Sequence, residues 1–414
     1  MTSVNVRCVP LRSVLTAAKK PAKPARRPLS PGRLLVSGLT AVLLLAFAAS
    51  VAIGWYFSGV ATQVDHGRTY DLRVRAVGDG TVTLPRTDAT TRPGVFGLEW
   101  AIGLRDGGGR AIIGEVVRKS ESIAGMDTGT IVRKVLSVPS GKLEPGLTVG
   151  LDHWVYHGDP KKALGLDFQN VTYPSQVGAM PAWLVPGRTK NSTWVIAVHG
   201  HNADRAETFR AMKTVHDSGM PMLSISYRND RGAPPGANGR NLLGSKEWND
   251  VASAIAYARS QGATGVVLYG WSMGGWMAMS ALQHAPDPSF VRGVVLDSPV
   301  LDWRSTLHKQ GSSRGLPSLE TDVAMRMLTW RYDVDLGAMD LRPFAPRLKT
   351  PTLLFTAGQD GTVDNGPSLE FARKAPAGMV TQVAEPNADH TEAWNVDSSG
   401  YEQALSGFLS KTAS

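Results

Sequence analysis

Val266-Val267-Leu268-Tyr269-Gly270-Trp271-Ser272-Met273-Gly274-Gly275 sets the reading of the whole chain. Val266 to Tyr269 is a short, continuous apolar run, as in a strand buried on both faces of a parallel sheet. Gly270-x-Ser272-x-Gly274 follows at once, and Met273–His284 then reads as a helix. A serine so placed sits on a strained strand-to-helix turn, the nucleophile elbow. Positions 270 and 274 must be small, because a side chain there would strike the neighbouring strand or helix. The turn presents the hydroxyl at a helix N-terminus, where partial positive charge favours a developing oxyanion. The motif alone discriminates little, and a buried turn with an idle serine is the alternative. The flanking strand and helix give it weight, and Ser272 is the expected nucleophile.

A serine needs a base, and after such an elbow the chain order is serine, acid, histidine. Of nine histidines, only His308 and His390 lie well beyond Ser272. His390 ends a polar loop, Glu385-Pro386-Asn387-Ala388-Asp389, between a strand-like Met379–Ala384 and a helical Tyr401–Leu409. It is the expected base. Asp360 closes the run Thr352–Gly358 in a glycine-bounded loop, where a carboxylate can accept the histidine Nδ1–H and fix its tautomer. Asp297, at the end of the preceding strand, is the rival acid. Asp389 adjoins His390 and is not expected to fold back onto its ring. Val198-His199-Gly200-His201 ends another apolar run, and the N–H groups of His201 and Met273 are the expected oxyanion donors. The side chains of His199 and His201 are expected to pack and bond within the loop.

Working outward, Trp194–Val198, Met222–Ile225, Val291–Leu296 and Thr352–Phe355 are further apolar runs. Helical patterns lie between them, as in Trp248–Ala258. Alternating strand and helix predicts a doubly wound, mostly parallel α/β domain over 166–414. Residues 301–349 are too long for an ordinary connection and read as a helical lid. Ser318 is the expected cap of a lid helix running through Val323, Met327, Leu328 and Trp330. Its Met and Trp suit an acyl chain, or else form the lid's packed underside.

Residues 58–165 read as a small β-rich domain. Tyr70, Leu72, Val74 and Ala76 alternate with Asp71, Arg73 and Arg75, and Gly78-Asp79-Gly80 is a turn signal. Ala111–Val117, Thr130–Leu136 and Val149–Tyr156 look similar. His153 and His157 are four apart, as in some helical metal sites, but Trp154-Val155-Tyr156 predicts a strand, so no metal is expected. Gly107-Gly108-Gly109 lacks the ending of a phosphate loop and reads as a turn. No fixed repeat is visible.

From Leu34 to Phe57 run 24 residues without a charge. At about 1.5 Å per residue this spans a hydrocarbon core of about 30 Å. Eight basic residues and no acidic one occupy 1–33, leaving 36 basic against 35 acidic for the remainder. A basic cytoplasmic tail, a single transmembrane helix over 34–57 in the lipid bilayer and an extracytoplasmic remainder are expected. A cleaved signal with its site near Gly59-Val60-Ala61, and a buried core helix, are the alternatives. The near-neutral remainder excludes a surface built for nucleic acid. The lone Cys8 excludes an intramolecular disulfide and a cysteine-based zinc site.

Residues 166–414 resemble the α/β-hydrolase superfamily, in particular its serine aminopeptidase/esterase-like branch. The resemblance rests on Val198-His199-Gly200-His201, Ser226-Tyr227-Arg228-Asn229-Asp230, Glu247-Trp248-Asn249-Asp250, Gly270–Gly275, Gly358-Gln359-Asp360 and His390. The tail, span and β-rich insert resemble membrane-anchored actinobacterial hydrolases. The resemblance implies cofactor-free serine hydrolysis of an ester, thioester or amide in a small-molecule or peptide substrate. Carboxylic-ester hydrolysis is the leading expectation. A peptidase would need a lid carboxylate such as Glu320, Asp322 or Asp333 to hold a substrate amine. A non-catalytic binding protein of the same fold would have an incomplete triad.

Overall fold

The computed structural model describes residues 31–412 apart from 66, 101–107, 121–128, 189–191 and 237. The basic tail over 1–30, with Cys8, and Gly107 lie outside the described residues.

Helix α1 (Pro31–Ala61) opens with a proline, tolerated where its missing N–H has no helical partner. Residues 31–49 form one unit, with large apolar side chains exposed, Leu35 at 75% and Leu45 at 72%. The helix is long and apolar enough to cross a membrane by length and composition, a property that a signal sequence shares. Residues 50–414 form the second unit.

That unit begins with strands β1 (Leu72–Arg73), β2 (Ala76–Gly78), β3 (Thr81–Pro85), β4 (Phe96–Trp100), β5 (Gly109–Ser120), β6 (Thr130–Ser140) and β7 (Thr148–Asp152). They form an antiparallel sheet in the order β1-β7-β4-β5-β6-β3-β2. One face is apolar, with Val82, Leu84, Leu98 and Ile113 fully buried. Two short helices accompany it, α2 (Asp88–Thr91) and α3 (Pro160–Leu164). The strand expected through Tyr156 stops at Asp152, because Val155 turns the chain at φ 67°. The composition of Trp154–Tyr156 suits a strand, but that backbone does not continue one.

The second sheet contains β8 (Gln169–Ser175), β9 (Gly178–Val185), β10 (Thr193–Val198), β11 (Met222–Ile225), β12 (Gly265–Trp271), β13 (Val291–Asp297), β14 (Thr352–Ala357) and β15 (Val380–Glu385). Its order is β15-β14-β13-β12-β10-β11-β9-β8. Strands β10 to β15 pair in parallel, and the β8–β9 hairpin joins β11 antiparallel. Every residue of β10, β11, β12 and β14 is buried, as the continuous apolar runs require. Ile196 and Val198 face one core, Val195 and Ala197 the other. Each of the Val and Ile side chains contributes roughly 1.5–3 kcal/mol of burial.

Helices α4 (Phe209–Asp217), α5 (Trp248–Ser260), α6 (Met273–Gln283), α7 (Trp303–Ser313), α8 (Ser318–Tyr332), α9 (Gly366–Lys374), α10 (Ala393–Val396) and α11 (Ser398–Thr412) complete the domain. Apolar residues of α5 and α6 enter the first core, and those of α4 and α11 the second, so the sheet is covered on both faces. This is the α/β-hydrolase architecture, with α7 and α8 inserted between β13 and β14 as the lid. Ser318 does not cap α8. Pro317 occupies the cap position, with no side-chain cap bond. Trp330 is 73% exposed and Met327 half-buried, so neither forms a packed underside. The lid's buried face is instead Thr321, Ala324, Met325, Leu328 and Tyr332.

Candidate active site

Parallel strands of equal register end on one side of the sheet. Val198 pairs with Gly270, Trp271 with Asp297, and Asp297 with Phe355. The loops after β10, β12, β14 and β15 therefore emerge together. Between β12 and α6, Ser272 takes φ 53° and ψ −119°, a left-handed backbone. A Cβ at 270 would overlap the backbone of Gly274, and one at 274 the carbonyl of Val198. Only glycine fits at either position, so the motif's spacing follows from close approach of main chains.

His390 Nε2 lies 2.8 Å from Ser272 Oγ. Its Nδ1 lies 2.8 Å from Asp360 Oδ2, in reach for the ring to donate there and accept the serine hydroxyl. The other Asp360 oxygen accepts the N–H groups of Thr362 and Val363 at 2.9 and 2.7 Å. Burial opposes protonation of His390. The hydrogen bond and charge of Asp360, with the charges of Glu207 and Asp297, outweigh it and hold the ring above its ordinary value. Asp297 is fully buried and accepts Tyr401 Oη at 2.8 Å, not His390. Burial pushes its carboxyl up.

Gly200 passes close to the serine, where a Cβ would stand 3.1 Å from Ser272 Cβ. Its N–H donates to Glu207 Oε2 at 2.7 Å, and its carbonyl accepts Tyr227 Oη at 2.7 Å. Burial raises the Glu207 carboxyl. His199 stacks on Tyr227, and its Nε2 lies 2.8 Å from Asp230 Oδ2. Arg228 in turn pairs with Asp250 at 2.8 Å, and Glu247 accepts the Leu242 N–H at 2.8 Å. Tyr227 and Asp230 thus brace the loop that carries His201, and Asp250 holds Arg228 between them. Sequence reading missed Glu207, because a carboxylate in a polar helical segment reads as solvent-exposed.

Ser272, His390 and His201 line one cavity of about 320 Å³. Its walls include Trp303, Leu307, Gln310 and Arg314 of the lid. Val60, Ala61, Gln63 and Asp65 also line it, a contribution from the end of α1 and the segment after it that nothing in the sequence signalled. His308 lies 3.2 Å from Asp322 within the lid. Of the other two carboxylates considered for a substrate amine, Glu320 faces Ser50 Oγ at 2.7 Å and Asp333 faces Lys246 at 3.5 Å.

Among the described residues, Glu99, Asp152 and His157 are spaced closely enough to share a small cation. Arg68 and Arg110 already pair with Glu99, each at 2.9 Å, and one nitrogen of His157 faces both carboxylates. These three basic groups supply the positive charge that the two carboxylates face. His153 is not in this cluster, and burial with the nearby Arg210 holds its ring down to about 3.

Residues 208–412 match the prolyl oligopeptidase family. Residues 73–152 match a domain of unknown function, DUF8805. No curated protein matches the sequence. Among solved structures, the Pyrococcus furiosus esterase Pf2001 superposes with a TM-score of 0.50 at 17% identity, covering 62% of this chain and 96% of the esterase. A second crystal form of it gives 0.50 at 18% identity, covering 62% and 95%. A hyperthermophilic esterase from Pyrobaculum calidifontis gives 0.44 at 16% identity, covering 59% and 83%. At 17% and 18% identity the likeness to the Pyrococcus furiosus esterase is one of fold.

Proposed function

We propose that this chain, a serine hydrolase of the α/β-hydrolase superfamily, cleaves carboxylic esters through Ser272, His390 and Asp360. The observation that carries the reading is the pair of 2.8 Å contacts joining these side chains at the floor of the cavity. His390 removes the Ser272 proton as Oγ attacks the acyl carbon, and Asp360 holds the imidazolium that forms. The N–H groups of His201 and Met273 take the oxyanion. His390 then returns the proton to the departing alcohol, leaving an acyl-enzyme. Water, deprotonated by the same ring, releases the acid.

An ester with an apolar acyl group is favoured by what adjoins the cavity. A second, apolar cleft shares Val60, Ala61 and Leu307 with it and continues past Phe57, Met325 and Leu328. One helical turn separates Val60 from Phe57, the end of the apolar run. Helix α1 is read as a retained membrane anchor, with the hydrolase domain extracytoplasmic.

A peptidase is the second reading. It is favoured by the prolyl oligopeptidase match and by Asp65, which lines the cavity and suits a substrate amine. Spheroplasts carrying the full chain, given p-nitrophenyl esters of increasing chain length and aminoacyl p-nitroanilides, separate the two. Ester turnover that salt washing leaves on the membrane and external protease removes is expected. Preferential cleavage of the anilides would favour the peptidase. Activity in the soluble fraction would make α1 a cleaved signal.

A further inference from the structure

The loop bearing His390 is held from two sides. On the hydrolase side, Arg210 Nη1 bonds the Thr391 carbonyl and lies 2.9 Å from Asn395 Oδ1. On the other side stands the residue that ends α2 of the β-rich domain, Arg92. Its Nη2 lies 2.7 Å from Asp389 Oδ2, and its Nη1 lies 2.5 Å from Glu392 Oε1. The free oxygen of Asp389 accepts two N–H groups at 2.7 Å, those of His390 and Gly361. Gly361 follows Asp360. One carboxylate thus ties the loop of the acid to the loop of the base, and Arg92 holds that carboxylate.

Arg92 is itself fixed from within the β-rich domain. Arg133, fully buried, donates to the carbonyls of Arg92 and Gly94 at 2.7 Å, and to that of Gly114. Burial lowers the Arg133 guanidinium to about 10. Beyond Arg92 the main chains meet directly. Val95 N–H donates to the Asn395 carbonyl at 2.9 Å, and Asn395 Nδ2 returns a bond to Val95 at 2.7 Å. Gly94 takes φ 99°, and a Cβ there would overlap the Asn395 carbonyl. The contact is built for glycine, as the elbow is.

We propose that Arg92 is a positioning residue for His390, and that the β-rich domain acts in the reaction by bracing the histidine loop through it. This rests on His390 being the base. A guanidinium can bridge two carboxylates in a fixed plane, which a lysine ammonium cannot do. Without the bridge, His390 keeps its chemistry and loses its aim, and misplacement of this kind typically costs about 10- to 100-fold.

The test compares R92A, R92K and R92A/E392Q in the full chain, measuring kcat, KM and the thermal midpoint. R92A is expected to lose about 10- to 100-fold in kcat with KM nearly unchanged. R92K should show a smaller loss. R92A/E392Q, which removes the unpaired buried carboxylate, should regain the midpoint but not kcat. Wild-type kcat in folded R92K or in R92A/E392Q would overturn the proposal, and R92K decides the matter if R92A fails to fold. A wild-type enzyme that no fluorophosphonate labels would overturn the serine reading instead, a separate result.

Discussion

His390 and His157 occupy similar settings and differ in what lies on the far side of the ring. Each is raised above its ordinary value against the pull of burial, and each owes this to carboxylates. His390 spends one nitrogen on Asp360 and keeps the other for a hydroxyl at a cavity. His157 turns a single nitrogen to both Glu99 and Asp152, in a cluster closed by Arg68 and Arg110. A shifted histidine therefore does not by itself mark chemistry. A second nitrogen aimed at a nucleophile within reach of substrate does.

The contrast is broken first by Asp360→Asn. An asparagine at 360 favours the wrong tautomer of His390, and turnover should fall by roughly 10⁴. Asp297→Asn should cost far less, because Asp297 bonds Tyr401. If steady-state kinetics ranked the two the other way, the acid would be Asp297.

His157→Gln sharpens the other half. It removes the donor that the two buried carboxylates share and leaves Asp152 with Arg68, at 3.8 Å, as its ion-pair partner, a loss of about 3 kcal/mol in denaturant unfolding. Turnover by the folded protein should hold to within about twofold. The pH dependence has a definite sign. His157 is raised, so its contribution is full below its unfolded value of 6.5 and fades as pH climbs through the folded value. Glu99 and Asp152 are lowered, so theirs fades as pH falls below about 4.5. The wild-type-minus-variant stability should peak between roughly pH 4.5 and 6.5. A difference that did not shrink on either side of that window would show that these charges contribute nothing to stability.

The two regions also differ in how far the sequence discloses them. Around Ser272 the chemistry is local. The glycines stand where main chains touch, the apolar run fills a two-sided strand, and His390 and Asp360 lie in loops after strands. Such features are written in consecutive residues. The β-rich domain's polar network is not. Arg92 meets Glu392 across 300 positions, and Arg133 sits mid-strand with an ordinary basic neighbour, Lys134. Nothing adjacent says which arginine is buried. Glu99 likewise lies in β4, where all five residues are buried. The apolar stretch Trp154–Tyr156 misleads for the converse reason, since side-chain composition does not report the positive φ at Val155. In the lid, Pro317 displaces Ser318 from the cap, and Trp330 faces outward near Trp55 rather than toward the core.

If Ser272 is the nucleophile and His390 its base, covalent labelling reads both at once. Full-length protein is treated with a fluorophosphonate across a pH series, and the adduct is mapped by peptide mass. One adduct is expected, on Ser272, forming faster as pH rises through a value above the ordinary 6.5 of histidine. Ser272→Ala should fold, lose the adduct and lose turnover by about 10⁶. An adduct on another residue, or undiminished labelling of Ser272→Ala, would contradict that role for Ser272.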